Sequence, residues 1–136
     1  LLILDEPTSG LDPVARNEVI DIFQDFIQNE ECSILLSSHI TTDLEHIADY
    51  IVFINDGEIL LSKTRDELLE RYGIVKCTEK EFKKINGNDF IRYRKSKYEY
   101  EVLVENKKEF NKKYNINTID KITLEDLMVM MIKGVR

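Results

Sequence analysis

Two short stretches hold residues whose types and spacing could do chemistry. In LLILDEP, Leu1 to Leu4 run without a polar residue into Asp5 and Glu6; in CSILLSSH, a second apolar run ends in Ser37, Ser38 and His39. An acid at a strand end can hold a hard divalent cation, usually through water, and the cation bridges phosphate oxygens and offsets their charge. An imidazole at the same edge can donate to a phosphate oxygen while its ring is fixed by other groups. Between the two stretches lies SGLD at 9–12, where Ser9 and Gly10 allow a tight path and Asp12 precedes Pro13.

Such residues need elements that aim them at one place. Leu1 to Leu4 reads as a parallel strand buried on both faces and cut off at its carboxyl end. Asp12 can cap a helix with Pro13 in its first turn, where a missing N–H costs nothing. Val19, Ile20, Phe23, Phe26 and Ile27 recur at helical spacing and give that helix one apolar face. CSILLSSH supplies the next strand, so strand, crossover helix and strand make a βαβ unit. Parallel strands deliver their terminal side chains into the crevice at the carboxyl edge of the sheet, where open α/β folds bind ligands. Thr42 with Glu45 suggests a capping box for a short helix through Ala48, and Tyr50 to Ile54 reads as a strand. Asn55-Asp56-Gly57 signals a hairpin into EILLS, and Thr64 with Glu67 opens a helix to about Tyr72.

Composition bounds what the chain can be. Its 136 residues suit one ordinary domain or two small ones, and 43% apolar residues permit a core. No window approaches the ~18 apolar residues of a membrane span, so a membrane link must come through a partner. Cys32 and Cys77 fit no metal or redox spacing and read as reduced thiols of a cytosolic protein. The net charge of −7 conceals a step: residues 1–72 hold 16 acids against 4 bases, residues 73–136 hold 10 against 15. That step and Tyr72-Gly73 mark a domain boundary, giving units 1–72 and 73–136.

The second unit reads as strand 74–78, helix 79–85 started by Thr78 and Glu81, strands 89–95 and 98–105, helix 107–114, strand 116–122 and helix 124–133. The order βαββαβ plus a helix is that of a small split βαβ, ferredoxin-like α+β sandwich. RYRKSKYEY at 92–100 interleaves bases and aromatics as nucleic-acid surfaces do. A solvated face is favoured, with Tyr and Val inward and Arg, Lys and Glu outward, because Glu99, Glu101 and Glu105 dilute the field that phosphate binding needs. The Met-rich TLEDLMVMMIKG at 123–134 reads as core packing, and His46 as structural or surface.

LLILDEP resembles the Walker B strand of ATP-binding-cassette (ABC) ATPases, SGLD their D-loop and LSSH at 36–39 their switch-histidine loop, in that order and at matching spacing. ADYIVFINDGEIL at 48–60 is similar to the strand and hairpin that follow the switch histidine in transporter ATPase subunits. The closing stretch resembles the last helix of some drug- or peptide-export subunits. The resemblance covers residues 1 to about 72 and implies the back half of a P-loop NTPase parallel sheet. It implies that Asp5 holds Mg²⁺ through water, that Glu6 orients or deprotonates the attacking water, and that His39 senses the γ-phosphate and supports Glu6. Ser9, Gly10 and Asp12 would then lie near the interface with a second ATPase subunit. ATP and Mg²⁺ are the implied cofactors, and membrane-spanning permease subunits the implied partners of a cytoplasmic protein at the inner face of the membrane. A non-transport ABC-type ATPase, or a nucleic-acid or ligand-binding module at 73–136, is the alternative.

The family's phosphate loop, G-x-x-x-x-G-K-[ST], its LSGGQ-like signature and its glutamine loop match no stretch here. All three precede Walker B in the family, so the resemblance implies a chain that starts late. Such a piece is expected to bind ATP weakly, to turn none over, and to self-associate through apolar surface that its flanking strands would cover.

Overall fold

The first apolar run forms β1 (Leu2–Asp5), and the second forms β2 (Ile34–Ser37). The two pair in parallel, with Leu2 opposite Ile34 and Asp5 opposite Ser37. Between them runs α1 (Pro13–Ile27), and α2 (Thr41–Ile47) follows β2. The computed structural model describes residues 1–116 and 121–136. They form two compact units, Leu1–Ala48 and Asp49–Arg136.

In the first unit, α1 starts as its sequence predicts. The Asp12 carboxylate accepts from the Val14 and Ala15 N–H groups, and Pro13 occupies the first turn, so the helix loses no bond to the missing donor. Ile20 and Phe23 are buried, whereas Phe26, expected on the same face, is exposed. Burial of the strands on both faces is realised on one. Leu2, Leu4, Ile34 and Leu36 are half-buried, while Ile3 and Leu35 on the opposite face remain 68% and 61% exposed. The Thr42–Glu45 capping box does not form. The helix begins two residues earlier than that box requires, at Thr41 with Ile40 at its N-cap, so Thr42 lies inside the helix. The Ile40 N–H instead donates to Ser38 Oγ at 3.0 Å.

The second unit opens with an antiparallel hairpin, β3 (Tyr50–Asn55) and β4 (Glu58–Thr64). Asp56 and Gly57 both take positive φ, 50° and 80°, which matches the right-handed twist of the flanking strands in a two-residue turn. α3 (Arg65–Arg71) is capped by Thr64, whose side chain accepts from the Glu67 N–H. The Glu67 carboxylate turns to Lys63 and Arg71, at 3.0 and 3.3 Å, so only half of the expected box is made.

Beyond it, β5 (Gly73–Cys77), α4 (Glu79–Phe82), β6 (Arg92–Lys95), β7 (Tyr100–Val104), α5 (Lys107–Tyr114) and α6 (Leu124–Lys133) follow the predicted order. The sheet runs β5-β7-β6, antiparallel throughout. α4 has the full Thr78–Glu81 capping box but stops at Phe82, and β6 starts late because Asn86 caps a 3-10 turn over Gly87–Asp89. The strand predicted at 116–122 falls largely on 117–120, outside the described residues.

Period-two alternation sends Val75, Cys77, Val102 and Val104 to one face, where they meet Ile85 and Phe110. Tyr93 and Tyr100 join Phe82 and Phe90 there, with Phe82 stacked on Tyr100 at 4.4 Å. Ile74, Lys76, Arg94 and Glu101 lie on the other face, beside Met130 and Val129 of α6. Arg94 is bonded to Glu101 on this half-buried face, so the face read as solvated in RYRKSKYEY is only partly open to water, and Tyr98, read as inward, is exposed because it sits in the turn between β6 and β7. The closing helix packs as core: Leu124, Leu127, Met130 and Met131 are all buried. Both cysteines are free thiols, and burial pushes Cys77 up to about 11.

All six tyrosines fall in the second unit, so tyrosine fluorescence reports its unfolding alone. Leu127→Ala is expected to lower the stability read that way by ~2–5 kcal/mol in urea titration, from lost burial plus a residual cavity. A pH effect follows from Asp89, which accepts from Lys113 Nζ at 2.6 Å and from the Tyr114 hydroxyl. These bonds hold its carboxyl below the ordinary 3.8. A depressed folded value adds stability above the ordinary one and loses it as pH falls through the folded one. Asp89→Asn is therefore expected to be less stable than wild type at about pH 6, with the difference closing towards about pH 2.

Candidate functional site at the carboxyl ends of β1 and β2

Parallel pairing brings both strand ends to one edge, and the register sets which side chains face each other there. Ser37 Oγ–H donates to Asp5 Oδ1 across the pair. One residue on, the Glu6 N–H donates to the Ser37 carbonyl and to Ser37 Oγ, both at 3.1 Å. The chain then leaves the sheet sharply. Glu6 has φ 48°, a left-handed conformation that costs a non-glycine residue ~1 kcal/mol or more, and it precedes Pro7, which also disfavours the helical region. The turn is closed by Ser9 N–H donating to the Glu6 carbonyl at 3.1 Å and Leu11 N–H to the Thr8 carbonyl at 3.3 Å. Gly10 has φ 76° with open space where a Cβ would stand, so glycine is needed there for its backbone and not for room.

This turn aims Glu6 at the end of β2. Glu6 Oε2 lies 2.8 Å from His39 Nδ1 and 3.4 Å from the His39 backbone N. An ionised carboxylate only accepts, so Nδ1 carries the proton in this bond. The outer nitrogen, Nε2, is left as an acceptor on a neutral ring and becomes a donor only on the imidazolium. The His39 and Glu6 side chains are 71% and 36% exposed, so a ligand can reach both.

Of the residues singled out in the sequence, Glu6 and His39 meet at this edge, and Asp5 is joined to it through Ser37. Ser9 and Gly10 shape the turn beside it, and the carboxylate of Asp12 is engaged in capping α1. The sequence reading placed Ser37 at the strand end without a role, and it missed Thr8, Asp43 and Arg16. Ser37 bridges Asp5 and Glu6, and a buried pair forms where Thr8 Oγ1–H donates to Asp43 Oδ2 at 2.7 Å. Arg16 Nη1 stands 3.9 Å from the other oxygen of Asp43. Only the register of β1 on β2 makes the Thr8–Asp43 contact foreseeable, since the two residues are 35 apart in the chain.

Among the described residues no cluster of three or more His, Cys, Asp or Glu could hold a metal by itself. Magnesium commonly takes only one or two carboxylates, with water and phosphate oxygens completing its shell. Asp5, exposed and bonded through one oxygen to a neutral hydroxyl, fits that partial donor set.

Asp5, Glu6 and His39 lie at or just past the carboxyl ends of two adjoining parallel strands, the edge at which open α/β sheets bind ligands. No family model matches the chain. It is, however, 50% identical over 66 residues to the lantibiotic transport ATP-binding protein SrtF of Streptococcus pyogenes, 48% of this chain and 28% of that protein. It is 38% identical over 72 residues to the ABC transporter ATP-binding protein YtrB of Bacillus subtilis, 53% of this chain and 25% of that protein. The bacitracin transport ATP-binding protein BcrA of Bacillus licheniformis matches at 37% over 71 residues, 52% of this chain and 23% of that protein. The resemblance read from the motifs therefore stands: over part of its length this chain is similar to ABC transporter ATP-binding proteins. It spans about a quarter of the length of these curated relatives.

Asp12→Ala is expected to cost the first unit ~1 kcal/mol through the lost cap. Amide exchange should show it, with the Val14 and Ala15 N–H groups exchanging faster while the core amides of the second unit keep their rates.

Proposed function

We propose that residues 1–72 are part of the ATP-binding domain of an ABC transporter ATPase subunit, and that the longer protein hydrolyses ATP. Residues 73–136 would form an accessory α+β domain, of the βαββαβ, ferredoxin-like type, that regulates it or aids pairing. The single observation that carries the reading is the 2.8 Å contact between Glu6 and His39 beside Asp5, at the ends of two parallel strands. The residues reach that contact from motifs resembling Walker B and the switch-histidine loop.

In this reading Asp5 holds Mg²⁺ through water, and the ion supplies charge neutralisation at the phosphate oxygens. Glu6 orients the attacking water and takes its proton at a carboxylate oxygen. The bond from His39 Nδ1–H fixes the rotamer of Glu6 and keeps the imidazole edge-on to the same space. For Nε2 to donate to a γ-phosphate oxygen while Nδ1 stays bonded to Glu6, the ring must be imidazolium, so phosphate contact and ring protonation are linked. Ser9, Gly10 and Asp12 face a second ATPase subunit, as homodimer or heterodimer, and permease subunits hold the pair at the cytoplasmic face of the membrane. No helix among the described residues is long and apolar enough to cross a membrane. Two relatives are named for lantibiotic and bacitracin transport, which supports a cargo of that kind.

The reading is tested in two steps. Sequencing upstream of the codon for Leu1 is expected to reveal G-x-x-x-x-G-K-[ST] in frame; its absence would overturn the reading. In the protein carrying that segment, Glu6→Gln is expected to lower ATP turnover ~10²–10⁴-fold while nucleotide still binds. Turnover that survives Glu6→Gln means the water is activated elsewhere. The 136-residue chain alone is expected to show no thermal shift with millimolar Mg-ATP, whereas a ligand held at its dissociation constant a hundred times over would add ~2.7 kcal/mol.

A further inference from the structure

Glu6 and His39 meet through side chains 36% and 71% exposed, and a pair so open to water is weakly held. Yet Glu6 also occupies a left-handed backbone conformation, which persists only where surrounding structure over-determines it. Something firmer must fix the turn after β1 against the loop after β2. The candidate is the buried bond from Thr8 Oγ1–H to Asp43 Oδ2, at 2.7 Å, between residues only 2% and 7% exposed.

Thr8 is two residues past Glu6, and Asp43 is four past His39. The two side-chain bonds therefore close a ring: Glu6, Pro7 and Thr8 on one side, His39 through Asp43 on the other. The ring has an exposed end, where the pair could exchange partners with a ligand, and a buried end that cannot trade its bond for water. Asp43 is itself anchored. It lies in the first turn of α2, where a carboxylate is favoured by the helix dipole, and Arg16 of α1 stands 3.9 Å from its free oxygen. The Arg16 Nε is buried and has no hydrogen-bond partner, so the guanidinium is held there by packing around α1 and α2 and not by a competing acceptor at Nε.

We propose that Asp43 and Thr8 are positioning residues for the Glu6–His39 pair, clamping the turn after β1 to the start of α2 so that carboxylate and imidazole stay within bonding distance. The role of the pair in hydrolysis rests on the function proposed above; the clamp itself does not.

The primary test uses this chain, with ¹⁵N spectra of the His39 ring. Wild type is expected to show the Nδ1–H tautomer that the Glu6 contact imposes. Thr8→Val, which keeps the shape and removes the donor, is expected to release the ring to the tautomer mixture of an unrestrained histidine; Thr8→Ser should restore the wild-type signature. A folded Thr8→Val with the wild-type signature overturns the proposal. Where Thr8→Val does not fold, the pair Asp43→Asn and Asp43→Ala decides. Asn keeps an acceptor oxygen and is expected to keep the signature, Ala to lose it, and an unchanged signature in Ala overturns the clamp. In the longer ATP-hydrolysing protein, Thr8→Val is expected to lower kcat by ~10²-fold with KM for ATP within about twofold, the cost of a catalytic group displaced by ~1 Å. A wild-type kcat in that variant overturns the positioning role. Turnover insensitive to Glu6→Gln would instead sink the ATPase reading, while the ring spectra would still stand.

Discussion

The parallel register of β1 on β2 is the constraint on which this site depends. Because side chains alternate faces with a period of two, a slip of one residue would send Asp5 and Ser37 to opposite sides of the sheet and break their bond. With the register kept, Asp5 and Ser37 finish their strands together, and the next residues of each chain turn into the same space. Everything else at the edge is a consequence. Ser37 can serve both Asp5 and the Glu6 N–H because it stands opposite one and adjacent to the other. α1, 15 residues long, spans ~22 Å at 1.5 Å per residue, enough to carry the chain from the end of β1 back to the start of β2.

Charge limits what such an edge can do unaided. Residues 1–48 hold ten carboxylates and one guanidinium, that of Arg16, which stands beside Asp43. A polyphosphate approaching Asp5 and Glu6 would meet repulsion unless positive charge came with it. On the function proposed, a hydrated magnesium ion carried with the nucleotide would supply that charge, since the acids that repel a bare phosphate attract the ion.

Elements with a strong local signal were legible in the sequence. Asp12-Pro13, Thr78 with Glu81, and Asp56-Gly57 each specify their turn or cap through atoms within a few residues, and each forms as read. The strand-end acids and His39 were legible because apolar runs ending in polar residues mark the carboxyl edge of a parallel sheet. What escaped depended on contacts distant in the chain. Thr42 fits a cap by spacing, but the loop after β2 starts α2 two residues earlier, with Ile40 at the N-cap. Glu67 fits a capping box by spacing, but Lys63 and Arg71 compete for its carboxylate. Phe26 fits the helical stripe yet lies outside what the first unit covers. Thr8 and Asp43 are ordinary polar residues in turn-rich sequence, and nothing local says that they will be buried against each other.

The division of labour between the two contacts of the ring has a physical logic. A pair that ligand must reach has to be open to solvent, and it is weakly held for that reason, since water competes for both groups. A contact that must not let go should be buried, since a carboxylate stripped of its donor away from water has nothing to replace it. Placing the first at the mouth of the loops and the second behind it lets the side chains move while the backbone that carries them stays put. The strain at Glu6 fits the same arrangement, because a left-handed residue before proline reverts to an extended conformation wherever its neighbours allow it. Its persistence argues that the turn is held by more than its own two backbone bonds, and Thr8 is the residue of that turn whose side chain reaches a buried partner on the neighbouring loop.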